Sequence, residues 1–357
     1  MGINFFKRLS NKQKSLILIL FLLPIFVIDV LNYFTLPEGV YAPPDKIEIN
    51  IPRGAALSQI ADSLSKYELV KNKKMFIFWA RVLGYENKLK AGLFKIPVNL
   101  NNAQLLTYLS QARAQEISVT ILEGWNTARI AQELEQKLNI NAVKFDSLCR
   151  DSSYTEELGI GESTLDGYLL PDTYSFYWGI SEKSLIHFFV NKTLSLFESD
   201  TVKSAIKKLG MTRHQILTLA SIVEGEAIFD DERSIIASVY YNRLRRHMKL
   251  QADPTVQFIV DDAPRRLLYR DLEIDSPYNT YLYYGLPPGP INNPGKASIL
   301  ASLFPADTKY LFFVATGDGR HAFSVTASEH ARAKAAFDKV RREVYRKKRQ
   351  EKLKEND

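Results

Sequence analysis

Four basic residues, Lys7, Arg8, Lys12 and Lys14, stand in front of a largely apolar run from Leu16 to about Leu36, and this run constrains the fold more than anything after it. About 20 apolar residues are needed to cross roughly 30 Å of hydrocarbon. The run therefore predicts a transmembrane helix over 16–36, with 1–15 as a cytoplasmic N-terminus. Basic residues stay on the cytoplasmic side, so everything after about Thr35 is expected outside the cell inner (cytoplasmic) membrane, anchored by a single pass. A cleaved signal peptide is the competing reading, but the run is long for its apolar segment and no A-x-A-like cleavage site follows. Pro24 is then a tolerated kink, and Asp29 is placed near the outer interface.

Behind this anchor, 46% hydrophobic and 24% charged residues in 357 are enough for one large core or two to three modest ones. The net charge of +7 lies largely in the leader and in the tail VRREVYRKKRQEKLKEND. Mixed Lys, Arg and Glu at helical spacing make a solvated helix face, and no nucleic-acid partner is expected. The single Cys149 excludes an internal disulfide, and the five histidines lack metal-ligand spacing. Neither a metal nor a cofactor is expected.

PEGVYAPPD, over 37–45, reads as a proline-rich linker. Two similar segments follow, IEINIPRGAALSQIADSL (47–64) and ISVTILEGWNTARIAQEL (117–134). In each, apolar residues alternate (Ile47, Ile49, Ile51; Ile117, Val119, Ile121), a glycine follows (Gly54, Gly124), and a helical pattern ends I-A-x-x-L. Period two giving way to period 3.6 is strand, turn, helix. LKAGLFKIP (89–97) and LDGYLLPDTY (165–174) each read as a return strand. The fold class is α+β: an N-terminal transmembrane helix, then an α+β module over 46–115, a second such unit over 116–180, a mixed α+β catalytic domain over 181–345 and a charged tail over 346–357. Modules of this shape resemble LysM domains, which bind N-acetylglucosamine-containing glycan; the repeat as a bare platform is an equal alternative.

Helical pattern fills 181–209 and stops at Gly210. Thr212 with Gln215 forms a capping-box signature for the next helix. Counting from that cap puts Leu217, Ala220 and Glu224 on one face, with Ile216 and Val223 beside them. A carboxylate there loses hydration, which disfavours its charged form and suits a general acid. Glu226 points to a different face and is expected in solvent. Ile235, Ile236, Val239, Tyr240 and Arg243 keep helical spacing in a second helix, whose first residues Asp230, Asp231 and Glu232 are accounted for by the helix dipole. Asp253, Thr255 and Gln257 lie in an ADPTVQ loop that could line a cleft or cap a turn. In SPYNTYLYYGLPPGPINNPG (276–295), tyrosines are interleaved with Asn279, Thr280, Asn292 and Asn293, a mixture of aromatic faces and amides suited to sugars, and a plain long Pro-rich loop is an equal alternative.

SIVEGEA, ERSIIASVYYNRL, LQADPTVQF, the 276–295 loop and YLFFVATGDGRHAFSVTASEH, in this order, resemble the endolytic murein transglycosylases of the MltG, or YceG-like, family. DGYLLPDTY (166–174) resembles the motif before the family's catalytic region, with Asp166 where Glu is usual. Gly225, Glu226 and Ala227 stand where Lys-Glu-Thr is frequent. The resemblance implies a lyase that cuts nascent peptidoglycan strands internally, at the β-1,4 bond between N-acetylmuramic acid and N-acetylglucosamine, leaving 1,6-anhydro ends and limiting strand length. It places the catalytic Glu on Glu224. It makes Asp253, Thr255, Gln257, Tyr278, Asn279 and Thr280 candidate substrate-binding residues, and peptidoglycan synthases candidate partners. Two rivals stand beside it: a hydrolase pairing Glu224 with a second carboxylate such as Glu226 or Asp253, and a non-catalytic glycan-binding scaffold for wall synthases.

Overall fold

The computed structural model describes residues 10–34, 46–52, 54–111, 114–260 and 265–354. The linker over 37–45 and the basic Lys7 and Arg8 lie outside the described residues. The chain divides into two compact units: residues 1–117 with 175–180, and residues 118–174 with 181–357.

The first unit begins with helix α1 (Asn11–Phe34), whose apolar side chains from Leu16 to Leu31 are mostly exposed. It is long and apolar enough to cross a membrane. Then come β1 (Lys46–Ile51), α2 (Leu57–Lys66), α3 (Lys73–Val82), β2 (Gly92–Pro97) and α4 (Asn102–Gln111). β1 and β2 pair antiparallel, Ile49 opposite Phe94 and Ile51 opposite Gly92. Their period-two alternation puts Ile49, Ile51, Phe94 and Ile96 on one face, where they bury with Leu57, Ile60 and Leu64 of α2 and Phe76 of α3. Alternation in the strands and a 3.6-residue stripe in α2 thus close one small core.

β3 (Glu116–Thr120) and β4 (Thr173–Tyr177) pair as a second two-stranded sheet, with the Thr120 and Thr173 hydroxyls 2.9 Å apart. Between them in the chain lie α5 (Thr127–Leu138), α6 (Ala142–Cys149) and α7 (Ser152–Glu157). The return strand expected over 165–174 starts only at Thr173. The reason is chemical: the N–H groups of Gly167 and Leu169 donate to Asn293 Oδ1 at 2.9 and 3.0 Å, so they are not free to enter a ladder.

The rest of the second unit is mostly helical. Ser181 and Ser199 cap α8 (Glu182–Ser195) and α9 (Asp200–Leu209), and Gly210 ends α9 in the left-handed conformation. α10 (Arg213–Glu226) opens with the predicted capping box: Thr212 Oγ1 accepts from Gln215 N, and Gln215 Oε1 accepts from Thr212 N. Every residue from Ile216 to Val223 is buried, so α10 runs through the core rather than along it. It packs against α11 (Asp230–Arg245) and α13 (Lys296–Leu303). α12 (Asp253–Ile259) occupies the ADPTVQ segment read as a loop, because Pro254 near its start is pre-set for a first helical turn. The hairpin β5 (Phe312–Ala315) and β6 (His321–Ser324), and α14 (Ala327–Lys354), complete the unit.

Candidate active site

Because α10 is buried on every side from Ile216 to Val223, Glu224 stands where the helix leaves the core. Its side chain is only 6% exposed. Oε1 accepts from Arg233 Nη1 at 2.9 Å, and Oε2 accepts from the Gly295 N–H at 2.8 Å. Arg233 comes from the first turn of α11, where Nε donates to Asp230 Oδ1 and Nη1 also reaches Ser298 Oγ of α13. Burial works against the guanidinium's charge, but the bonds to Asp230 and Glu224 outweigh it and raise the pKa of Arg233 above its ordinary value. The lone desolvated carboxylate expected from helical register is therefore a paired one. Charge-assisted bonds of this kind fix geometry as well as energy.

Three loops converge on this carboxylate through Asn293, which is fully buried. Its Nδ2 and its backbone N–H both donate to Trp125 O at 3.0 Å, its carbonyl accepts from Gly124 N at 2.9 Å, and its Oδ1 holds Gly167 and Leu169. One side chain ties the Gly124 turn, the DGYLLP loop and the NNPG loop together. A β-carbon on Gly124 would lie 3.8 Å from Glu224 Cγ.

A cleft of about 730 Å³ opens beside this junction, lined among others by Gly124, Trp125, Arg129, Glu226, Asp253 and Gln257. The Arg129 guanidinium lies 4.4 Å over the Trp125 ring. Asn292 also lines it; its Nδ2 donates to Ser221 O, while its buried Oδ1 has no partner among the described residues. A second cleft of about 500 Å³ shares Glu226 and Asp253 with the first.

Concave, partly aromatic and rich in polar groups, the site suits a carbohydrate. The YceG-like family profile matches residues 49–336. The chain belongs to the YceG-like family. A Bacillus subtilis protein named endolytic murein transglycosylase is 35% identical over 310 residues, covering 82% of this chain and 84% of that one. A Streptococcus pneumoniae protein of the same name is 30% identical over 321 residues, and the match spans 80% of this chain but 57% of that longer relative. The crystal structure of a yceG-like protein from Listeria monocytogenes superposes with a TM-score of 0.57 at 31% identity, covering 81% of this chain and 99% of that one.

The candidate substrate-binding residues divide in this YceG-like chain. Asp253 and Gln257 line the larger cleft. Tyr278 stands behind it, its ring 4.8 Å from that of Phe258. Thr255, Asn279 and Thr280 are buried scaffold instead of cleft surface. Thr255 Oγ1 donates to Ala252 O and lies 2.9 Å from Thr280 Oγ1, which accepts from Ala252 N. Asn279 Nδ2 donates to the carbonyls of Leu272 and Ile274, shaping its own turn. Short polar side chains satisfy nearby backbone in tight turns, and this use overrides a ligand-facing one.

Two acidic expectations also change. Glu226, expected in solvent, is half-buried and accepts from Tyr240 Oη at 2.9 Å. Burial pushes its carboxyl up to about 7, the bond from Tyr240 pulling the other way and Asp253 adding repulsion. Glu232, assigned to the helix dipole, is buried and accepts from His321 N and Nδ1 at 3.0 and 2.9 Å. Arg233 and Trp125 escaped the sequence reading. Arg233 was findable: with Ile236, Tyr240 and Arg243 it follows helical spacing on a buried face, where a guanidinium needs acceptors drawn from the rest of the fold.

Proposed function

We propose that this protein is a membrane-anchored lytic transglycosylase that cleaves nascent peptidoglycan strands endolytically at the N-acetylmuramic acid–N-acetylglucosamine β-1,4 bond, with Glu224 as its catalytic carboxylate. The observation that carries the assignment is the fixed Glu224 carboxylate, held by Arg233 and Gly295 N–H beside the larger cleft. The names of the Bacillus and Streptococcus relatives supply the substrate class.

The chemistry needs one proton given and one taken. The C1–O4 bond breaks as a carboxylic acid protonates the leaving O4. The muramic acid's own C6 hydroxyl then attacks C1 and gives its proton to the resulting carboxylate, closing the 1,6-anhydro ring without water. Because the nucleophile is tethered to the reacting ring, proximity is supplied by the substrate, and one carboxyl can serve both steps where an ordinary glycosidase uses two. Trp125, Asp253 and Gln257 are assigned to hold the glycan, and Asn292 Oδ1 to accept from a sugar hydroxyl.

Around this centre, α1 is assigned as the single-pass anchor, with the N-terminus cytoplasmic and the rest on the outer side of the inner membrane. The domains proposed are 16–36 transmembrane, 37–45 linker, 46–115 a LysM-like module, 116–180 a second α+β repeat unit leading into the catalytic region, and 181–345 catalytic, with wall synthases as partners. The antiparallel β1 and β2 flanking α2 and α3 support the LysM-like reading of the first unit.

One observation favours a second reading. Glu226 faces both clefts and holds its proton to about pH 7, as the acid of a two-carboxylate hydrolase would. Digestion of peptidoglycan by the parent and by Glu224→Gln, read by mass spectrometry, separates the cases. Anhydro ends from the parent and none from the variant are expected; ordinary reducing ends would establish the hydrolase, and undiminished anhydro product from the variant would remove Glu224 from the chemistry.

A further inference from the structure

The smaller cleft carries a feature that the cleavage reaction does not use. Its wall includes Arg243, a buried guanidinium of α11. Nε donates to Leu311 O and Nη1 to Leu250 O, both at 2.6 Å. Nη2 makes no hydrogen bond, and no carboxylate lies within ion-pair distance of Arg243, among the described residues. A buried cation whose hydrogen bonds go only to carbonyls, with the Phe312 ring 5.4 Å from its guanidinium, lacks a full counter-charge, and burial lowers the Arg243 pKa below its ordinary value, with Tyr240, Tyr281 and Glu226 only partly offsetting it.

Two more nitrogen groups meet it from α14. His330 stacks on Phe312 at 5.3 Å between ring centroids, and its Nδ1 is buried with no partner among the described residues. Lys334, one helical turn on, lines the same cleft. Burial first, then the charges of Arg243 and Lys334, lower the His330 pKa, so the three groups feel one another. Phe313, Phe337 and Tyr281 give aromatic surface to the same walls. At the shared end stand the acidic groups, Glu226 bonded by Tyr240 and Asp253 bonded by Tyr281. The remaining ionisable group on the lining, His321, is committed to Glu232.

We infer that the smaller cleft receives a carboxylate borne on the O3 substituent of the muramic acid ring, with Arg243, His330 and Lys334 as its donors. The inference rests on the murein-cleaving reading, and it gives a reason for the shared boundary: a strand lying in the larger cleft can turn its acidic side arm past Glu226 and Asp253 into the smaller one. Two sources offer the same chemistry, the lactyl carboxylate of a peptide-free strand and the carboxylates of a stem peptide.

The test is calorimetric titration of full-length protein in detergent, in a Glu224→Gln background, with three probes: chitotetraose, a peptide-free murein tetrasaccharide and the same tetrasaccharide bearing its stem peptides. Lys334→Glu should weaken binding of carboxylate-bearing probes by about tenfold or more and leave chitotetraose unchanged. Lys334→Arg should restore binding. A loss confined to the peptide-bearing probe assigns the stem; a loss with both assigns the lactyl group. Equal effects on all three probes, or none on any, overturn the subsite. Anhydro product from any murein probe in this background would instead count against Glu224, while the binding comparison stays readable.

Discussion

Arg233 Nη1 donates to Glu224 Oε1 at 2.9 Å, and both side chains are nearly enclosed, 11% and 6% exposed. Breaking such a pair from one side leaves an uncompensated buried charge, which costs about 3–5 kcal/mol. Arg233→Ala should therefore lower the unfolding free energy by roughly that amount. Arg233→Lys keeps the charge but cannot reach Asp230, Glu224 and Ser298 together. It should fold, and lose about 10²-fold in the turnover rate, as removal of an electrostatic positioning donor does elsewhere. Turnover near the parent rate for Arg233→Lys would show that charge alone, without the forked geometry, is sufficient.

Gly225 directly follows Glu224 and abuts α12. A β-carbon on it would come within 2.6 Å of Pro254 Cβ and 2.8 Å of its Cγ. Neither atom is the end of a flexible chain, so the start of α12 must move, and with it Asp253 on the cleft wall. Gly225→Ala is expected to raise the KM for murein strands several-fold with a smaller change in kcat, and overpacking should cost about 1–3 kcal/mol of stability. Parent-like KM and melting temperature would mean that α12 yields freely.

The contrast between Glu224 and Glu226 shows what could be read in advance. Apolar periodicity and a capping box placed Glu224 on the buried side at the end of a helix, and the chain order of several motifs singled it out. They also revealed the strand–helix repeat, because alternation and helical stripes are local properties. Partners across the fold are different. Glu224's donors come from nine and 71 residues away in the chain, and nothing local marks Gly295 as a donor. Glu226 was read as solvated because its own helix turns it away from Leu217; only the neighbouring α11, through Tyr240, encloses it. Thr255, Asn279 and Thr280 show the converse, polar residues suited to a ligand but used by the backbone around them.

Glu226 gives a pH dependence with a definite sign. Its pKa in the folded protein is about 7, against 4.5 for a free side chain. The folded state therefore prefers the protonated form. The stability it contributes is fully present below the free value and is lost progressively as pH rises from there to about 7. Glu226→Gln is permanently neutral and can still accept from Tyr240. Its melting temperature should match the parent's near pH 4 and exceed it near pH 8, the gap opening across that interval. A gap of constant size from acid to alkaline pH would mean that Glu226 does not titrate in this window.

Asn293 offers the strictest test of how the site is built. Its Oδ1 accepts from two backbone N–H groups and its Nδ2 donates to the Trp125 carbonyl, all in a fully buried setting. Asn293→Ala strands the Gly167 and Leu169 N–H groups, each costing about 1–3 kcal/mol when left unsatisfied, while Trp125 O keeps the backbone N–H of residue 293, so the variant should be strongly destabilised. Asn293→Asp is the more informative change. Its oxygen still holds Gly167 and Leu169, but the second oxygen faces the Trp125 carbonyl in place of a donor. The DGYLLP loop should stay in place while the Gly124 turn is pushed off, and Gly124 lies against Glu224. Amide hydrogen exchange should accordingly show protection kept at Gly167 and Leu169 and lost at Gly124, together with a fall in turnover. Uniform loss of protection across both loops would show that they form a single unit that Asn293 merely accompanies.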